Sequence, residues 1–385
     1  MLSCQKELFN LKPEVHYLNN AYRAPLLKSS EEAGILSLIK QRNPFDLKPD
    51  DFFDGVLEVR KSFGKLVNCK PSEVAVMPST SYGFTSVLNN INGGLKKKKA
   101  IVVKDEFPSG YFSMERWAKE NDAALQIVES DPSAIQKGES WNQRIIEAID
   151  ENTAVVLISS IHWMSGVKFN LKEIGEKCET VGAYFIVDGT QSVGAMTMDV
   201  KEYKIDALVC AGYKWLLGPY SIALAFIGEK FADGIPLEES WMNRVNARNF
   251  GSLSDYASEY EPGAGRFNVG ETSNFIMMPM LKASLEQLLE WKPERIQEYA
   301  KHLNLPFRDY IKDIGGVVEE DEFLAFHLIA PKLPGHLDVA SLKQKLEENQ
   351  VFLSARGENL RISTNVFNEK KDLDVLIQVV ENQMK

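Results

Sequence analysis

At 385 residues, 44% hydrophobic and 25% charged, the chain is long enough for a large α/β domain with a smaller companion and has an ordinary globular composition. A formal net charge of −10 argues against a nucleic-acid binder, and no apolar stretch reaches bilayer-spanning length. The start, "MLSCQKELFNLKPEVHYL", has no apolar signal core, so a cytoplasmic protein with no membrane or nucleic-acid partner is expected. Cys4, Cys69, Cys178 and Cys210 are scattered without a C-x-x-C pair, and the five histidines are largely isolated; disulfides and a metal site are not expected.

In chain order, residues 1–50 are expected to pack with a small C-terminal domain. Residues 51–280 form the expected large domain. Within it, from about residue 73 to 228, short apolar runs alternate with amphipathic ones. "EVAVMPS", "AIVVKDEF", "AVVLISSIHW", "AYFIVDG", "ALVCAG" and "SIALAFIG" read as strands. "TSYGFTSVLNNI", "YFSMERWAKEN", "SWNQRIIEAID" and "LKEIGEKCETVG" read as helices between them, the last ended by Gly182. Such alternation predicts crossover connections and an α/β fold with a mostly parallel central sheet and helices on both faces. The basic run Lys96–Lys99 after Gly93-Gly94 reads as a solvated turn. From 281 to 385 the texture becomes that of a smaller α+β domain. "PMLKASLEQLLEWKPERIQEYAKHLNLPFRDYI" and "DVASLKQKLEENQ" are helical in pattern, "VFLSARGENLRIST" is strand-like, and a helix closes the chain.

Lys214 lies between two buried-looking runs, Ala207–Ala211 and Ser221–Ile227. The ordinary reading is a strand-end lysine that reaches solvent; a buried one is rare unless paired or used chemically. The other strand ends bear on the choice, because open parallel sheets bind ligands there. They offer Pro78-Ser79-Thr80-Ser81 at a helix start, Phe107-Pro108-Ser109, Asp188-Gly189-Thr190-Gln191, and Tyr213-Lys214. One hydroxyl is explained by helix capping; several, with free backbone N–H groups, also make an anion cradle. A phosphate cradle, an aromatic face, a carboxylate, an amide and a lysine are what pyridoxal phosphate requires. The amine takes the aldehyde, the carboxylate keeps the pyridine nitrogen protonated, the ring stacks, and hydroxyls at a helix N-terminus hold the phosphate.

With these residues on the page the chain resembles the class V aminotransferases, fold type I pyridoxal phosphate enzymes that include cysteine desulfurases, kynureninases and isopenicillin N epimerase-like proteins. The resemblance is carried by "YLNNAYRAP", "PSTSYGFTSVLNNI", "DEFPSGYFSMERW", "ISSIHWMSGVKFNL", "DGTQSVGAMTMDV", "DALVCAGYKWLLGP", "RFNVGETSNF" and "LSARGENLRIST", in family order over nearly the whole chain. It implies a homodimer with active sites at the interface. Lys214 is then the Schiff-base lysine and Asp188 the partner of the pyridine nitrogen. Gln191 touches the ring hydroxyl, Phe107 stacks, and Thr80, Ser81 and Tyr213 take the phosphate. Ser165 is preferred over a packed His162 as a cofactor contact. Ser273 and Asn274 reach the neighbour's phosphate, and Asn20 and Arg361 bind substrate.

Two features bear on the reaction. The loop before Arg361 has no cysteine, which disfavours desulfuration. Arg361 stands where the family's carboxylate-binding arginine sits; a planar fork suits an α-carboxylate, and Arg361 is preferred over Arg356. The implied activity is transamination of a small α-amino acid, with a lyase or epimerase as the alternative. A nucleotide-binding protein lacks its G-x-x-x-x-G-K-[ST] or G-x-G-x-x-G signature, and a serine hydrolase lacks G-x-S-x-G. A non-catalytic protein of the same fold sits poorly with an intact Asp188, Gln191 and Lys214.

Overall fold

A computed structural model describes residues 2–91, 96–335, 337–356 and 359–384. Its strands are β1 (His16–Tyr17), β2 (Val74–Met77), β3 (Lys99–Val103), β4 (Ala124–Val128), β5 (Thr153–Ser159), β6 (Tyr184–Asp188), β7 (Ala207–Ala211), β8 (Ala223–Ile227), β9 (Leu328–Ile329), β10 (Val351–Phe352), β11 (Ser354–Arg356) and β12 (Asn359–Ser363). The helices are α1 (Lys28–Lys40), α2 (Asp54–Val67), α3 (Thr80–Leu88), α4 (Pro108–Glu120), α5 (Gly138–Ala148), α6 (Leu171–Val181), α7 (Met277–Trp291), α8 (Pro293–Asp313), α9 (Val339–Glu348) and α10 (Lys370–Met384).

Seven strands form the central sheet in the order β2-β8-β7-β6-β5-β3-β4. Neighbours pair in parallel from β7 through β4, while β8 runs antiparallel to both β7 and β2. The six strands read from sequence are all present. Their near-continuous apolar runs follow from burial on both faces. Val74, Val76, Val156, Ile158, Leu208 and Cys210 point into one core with α2, α5, α6 and α7. Ala75, Met77, Val155, Leu157, Ala207 and Val209 point into the other with α3 and α4. The strand not anticipated is β4, "ALQIV", at the sheet's edge. Four of its five residues keep some exposure, so the run lacks the unbroken apolar signature of its neighbours.

Helix limits follow local chemistry. Ser79 caps α3 by accepting the Tyr82 N–H. Pro108 opens α4, and Gly182, at φ 65°, closes α6. Lys97, Lys98 and Lys99 are not a merely solvated turn. Lys97 donates to the Val181 and Gly182 carbonyls, Lys98 to Asn121 O (2.6 Å) and Lys99 to Ala148 O (2.6 Å). Each cation thus satisfies carbonyls at a helix C-terminus, where the dipole favours it. Gly93 and Gly94 lie outside the described residues.

The C-terminal part builds a three-stranded sheet, β11-β12-β9, with α8, α9 and α10 around Phe307, Ile311, Leu342, Leu360, Ile362 and Leu376. The N-terminal segment splits its contacts. β1 pairs in parallel with β10 and Leu18 joins this smaller core. α1 packs on α7 instead, and α7 contributes Leu281, Leu285 and Leu288 to the core beneath the central sheet. The expected boundary between residues 280 and 281 falls inside α7. No described helix is long and apolar enough to cross a membrane.

Candidate active site

The carboxyl ends of β2, β3, β5, β6 and β7 open on one pocket, lined by Thr80, Phe107, Ser159, Trp163, Asp188, Thr190, Gln191, Ala211, Tyr213 and Lys214. The sheet sets the spacing. Ser159 pairs with Asp188, and Asp188 with Val209, across adjacent strands.

Lys214 sits in the turn from β7 to β8, and it is buried at 7% exposure. The solvent-reaching alternative is therefore overturned. Gly212 makes the turn possible, because a Cβ there would meet Ile222 Cγ2 at 2.8 Å and Ile222 O at 2.9 Å. Gly212 N bonds Ile222 O (2.9 Å), Gly218 N bonds Gly212 O (2.8 Å), and Ala24 N bonds Tyr213 O (3.0 Å), so the loop is tied on both sides. Lys214 Nζ lies 5.4 Å from the centre of the Phe107 ring. Burial lowers its pKa to about 8; Asp188 opposes that shift, and the Arg361 charge adds to it.

Asp188 ends β6 and is 5% exposed. Its Oδ1 accepts the Thr190 N–H at 2.8 Å. Burial pushes its pKa up, against the Thr190 hydrogen bonds and the Lys214 charge. Gln191 is clamped: Nε2 donates to Ala21 O (3.2 Å), Oε1 accepts from Trp215 Nε1 (2.8 Å), and its carbonyl bonds His327 Nε2 (2.7 Å). Among the described residues the second Nε2 hydrogen of Gln191 has no acceptor.

The structure brings Thr80, Phe107, Asp188, Gln191, Tyr213 and Lys214 together. Ser81 lies on the exposed first turn of α3, its Oγ 2.9 Å from Ser79 Oγ. Ser165 is not among the residues lining the pocket; it lies two positions after Trp163, its hydroxyl bonded to His162 Nδ1 at 2.8 Å. His162 is packed on Trp141, and burial lowers its pKa to about 4. Ser273 and Asn274 stand apart from the pocket within one chain. Ser273 lines a cleft among α1, α2 and α7, and exposed Asn274 caps α7 by accepting the Ile276 and Met277 N–H groups. Asn20 is fully buried; its Oδ1 accepts from Asn365, and its Nδ2 has no partner among the described residues. Arg361 is 2% exposed; Nη1 donates to the carbonyl of pocket residue Trp163 (2.9 Å), and Nε has no partner among the described residues.

Sequence reasoning missed Glu106 and Trp163. Glu106 is buried one residue before Phe107 and accepts from Phe107 N (2.7 Å), Ser159 N (2.8 Å) and the Ser159 hydroxyl. Burial raises its pKa to about 7, and the nearby Asp188 charge adds to this. The signal was present: in "VVKDEF" an acid follows a strand just as Asp188 does in "FIVDG". Trp163 stands edge-on to Phe107 at 5.5 Å and 88°.

These residues fit pyridoxal phosphate: a buried amine with no ion pair among the described residues faces an aromatic ring, with a buried carboxylate and a helix N-terminus in the same pocket. The low pKa of Lys214 sets an expected pH dependence. Only the neutral amine attacks an aldehyde, and at about pH 7.5 roughly a quarter of Lys214 is neutral, against roughly one in a thousand for an ordinary lysine. Covalent cofactor uptake by cofactor-free protein, followed by absorbance, should rise with pH to about 8 and then level. A rise that continues through pH 10 would contradict the depressed pKa.

The profile of the family described as "Aminotransferase class-V" matches residues 49–375. The chain is 24% identical over 316 residues to the uncharacterized aminotransferase YcbU of Bacillus subtilis, covering 82% of this chain and 80% of that one. A cysteine desulfurase from Thermococcus onnurineus superposes with a TM-score of 0.83 at 19% identity, covering 99% of this chain and 98% of that chain. A C-DES variant with glycine covalently linked to its pyridoxal phosphate superposes at 0.84 with 16% identity, covering 98% and 99%. The fold is that of the fold type I pyridoxal phosphate enzymes, and the family together with such neighbours indicates pyridoxal phosphate as cofactor. On its sequence profile and its architecture, the chain belongs to the class V aminotransferase family.

Proposed function

We propose that the protein transfers the amino group of a small α-amino acid to a keto-acid acceptor, with Lys214 as the catalytic base. The observation that carries this reading is the buried Lys214, with its lowered pKa, facing Phe107 in the pocket that also holds Asp188. Bound pyridoxal phosphate supplies an electron sink for the pair left at Cα when its proton goes. Lys214 would hold the cofactor at its aldehyde and would carry the Cα proton of the substrate. Asp188 would hold the pyridine nitrogen protonated, Gln191 would donate an N–H to the ring hydroxyl, and Phe107 would stack on the ring. Thr80, Ser81 and Tyr213 hold the phosphate at the α3 N-terminus, and Ser165 lies at the cofactor's edge. Arg361 and Asn20 take the substrate carboxylate through donors that have no partner among the described residues.

Phe107 and Tyr213 favour a second reading, a lyase of the kynureninase kind, because both match that pattern. Desulfuration is disfavoured. Cys178 and Cys210 are buried and Cys69 is half-buried; burial raises the Cys69 and Cys178 thiols to about 12 and Cys210 well above its ordinary value. The test is to mix holoenzyme with a panel of amino acids. Transamination gives one equivalent of keto acid per site without an acceptor and repeated turnover once a second keto acid is added. Steady turnover without acceptor favours the lyase, and catalytic sulfide release from cysteine would overturn the reading.

We place the enzyme in the cytoplasm, since its cysteines are all free, and propose a homodimer in which Ser273 and Asn274 serve the neighbour's phosphate. What supports the dimer is an exposed apolar surface on and after α1: Ile35, Leu36, Leu38, Ile39 and Phe45. Sedimentation at micromolar concentration should give a dimer; a fully active monomer would remove Ser273 and Asn274 from the site.

A further inference from the structure

Arg361 is one of three buried arginines, with Arg60 and Arg308. The other two have carboxylate partners: Arg60 pairs with Glu261 at 2.8 Å and Arg308 with Asp321. Arg361 has none among the described residues. Its donors reach only the Trp163 carbonyl (2.9 Å) and Ser354 Oγ (3.5 Å), and Nε is orphaned. Arg356 repeats the pattern. Its Nη1 donates to its own neighbour's carbonyl, Ala355 O (2.9 Å), its Nε is buried without a partner, and no acid of the described residues pairs with it.

The hairpin puts the two cations together. In the β11–β12 register Ser354 faces Arg361 and Arg356 faces Asn359. Alternate strand residues share a face, so Arg356 and Arg361 are diagonal neighbours on one side of it. Both lean on the same residue: Arg361 bonds the Trp163 backbone, and the Arg356 guanidinium lies 5.5 Å from the centre of the Trp163 ring. Trp163 is a wall of the Lys214 pocket. Each arginine also acts electrostatically on Lys214, and Arg356 on Arg361. A buried guanidinium without a counterion is costly, and two on one face repel. None of the described acidic residues pairs with either guanidinium, which leaves both able to take anions from a ligand.

We infer that the substrate is a dicarboxylic amino acid, its α-carboxylate on Arg361 and its distal carboxylate on Arg356. This rests on the aminotransferase reading and narrows it. Arg356 is then the specificity residue, and the amide of the same amino acid, equal in size but uncharged, is the poor substrate.

The experiment compares kcat/KM of the holoenzyme for glutamate against glutamine and aspartate against asparagine. At least one acid should exceed its amide by roughly tenfold to a hundredfold, the scale of a charge-assisted bond. Arg356→Gln should lower that acid's kcat/KM at least about tenfold more than its amide's. Amides used as well as acids by the unaltered enzyme, or equal losses on both in the variant, would overturn the proposal. A binding arm separates this from failure of the parent reading. Calorimetry with glutarate, succinate and butyrate needs no reaction. A dicarboxylate should bind holoenzyme at least about tenfold tighter than butyrate, and Arg356→Gln should remove that margin. If no amino acid yields keto acid yet this margin is present, transamination fails and the paired arginines stand; equal binding of all three acids overturns the arginine pair itself.

Discussion

Lys214→Ala should abolish turnover, by on the order of 10³-fold or more, because one side chain serves as both covalent anchor and carrier of the Cα proton. Kinetics with the best amino acid of the panel give the size, and circular dichroism and gel filtration should show an unchanged fold. That second expectation has a structural basis. Lys214 makes no ion pair among the described residues, and the turn that carries it is held by backbone bonds from Gly212, Gly218 and Ala24. The variant should still bind pyridoxal phosphate reversibly through the phosphate and ring contacts, yet lose the absorbance of the lysine-linked form. Near-normal transamination by this variant would remove Lys214 from the chemistry.

Asp188→Asn should leave cofactor bound but cut kcat by on the order of 10²–10³-fold, the size associated with losing one preorganised electrostatic contact to developing charge. The buried pocket makes the effect large. Asp188 is 5% exposed, and burial already opposes its charge. A protonated ring nitrogen beside it would keep the carboxylate ionised, and the carboxylate would keep that nitrogen protonated; an amide does neither. Stability should fall little, because the Thr190 N–H that bonds Asp188 Oδ1 can bond an amide oxygen in the same place. The discriminating readout is kcat against KM: KM for the amino acid should move much less than kcat. An unchanged kcat would contradict the electron-sink role.

Much of this was legible because an open parallel sheet turns a one-dimensional pattern into a place. Once "EVAVM", "AYFIV" and "ALVCA" are strands, Thr80, Asp188 and Lys214 must meet at their carboxyl ends. Gly182 and the Ser79 cap were readable for the same local reasons that make them end or begin helices. What depends on partners was not readable. The Lys214 turn is tied to Ala24, far away in sequence, and nothing local announces that bond. Lys97, Lys98 and Lys99 look like any basic turn until three helix C-termini converge on them. Strand β4 was hidden because an edge strand lacks the doubly buried apolar run. Glu106 was overlooked for the aromatic beside it, although both follow β3. Whether Arg356 and Arg361 carried acids of their own was undecidable from "LSARGENLRIST", where ion-paired and ligand-binding arginines look alike.

The central claim, that Lys214 holds pyridoxal phosphate in this pocket, is tested most directly by reducing the holoenzyme with borohydride and mapping the modified peptide by mass spectrometry. Reduction makes the lysine–cofactor bond permanent. The account predicts one cofactor per chain on the peptide containing Lys214, and none after Lys214→Ala. Label on another lysine, or no covalent label in a protein reconstituted with excess cofactor, would contradict it.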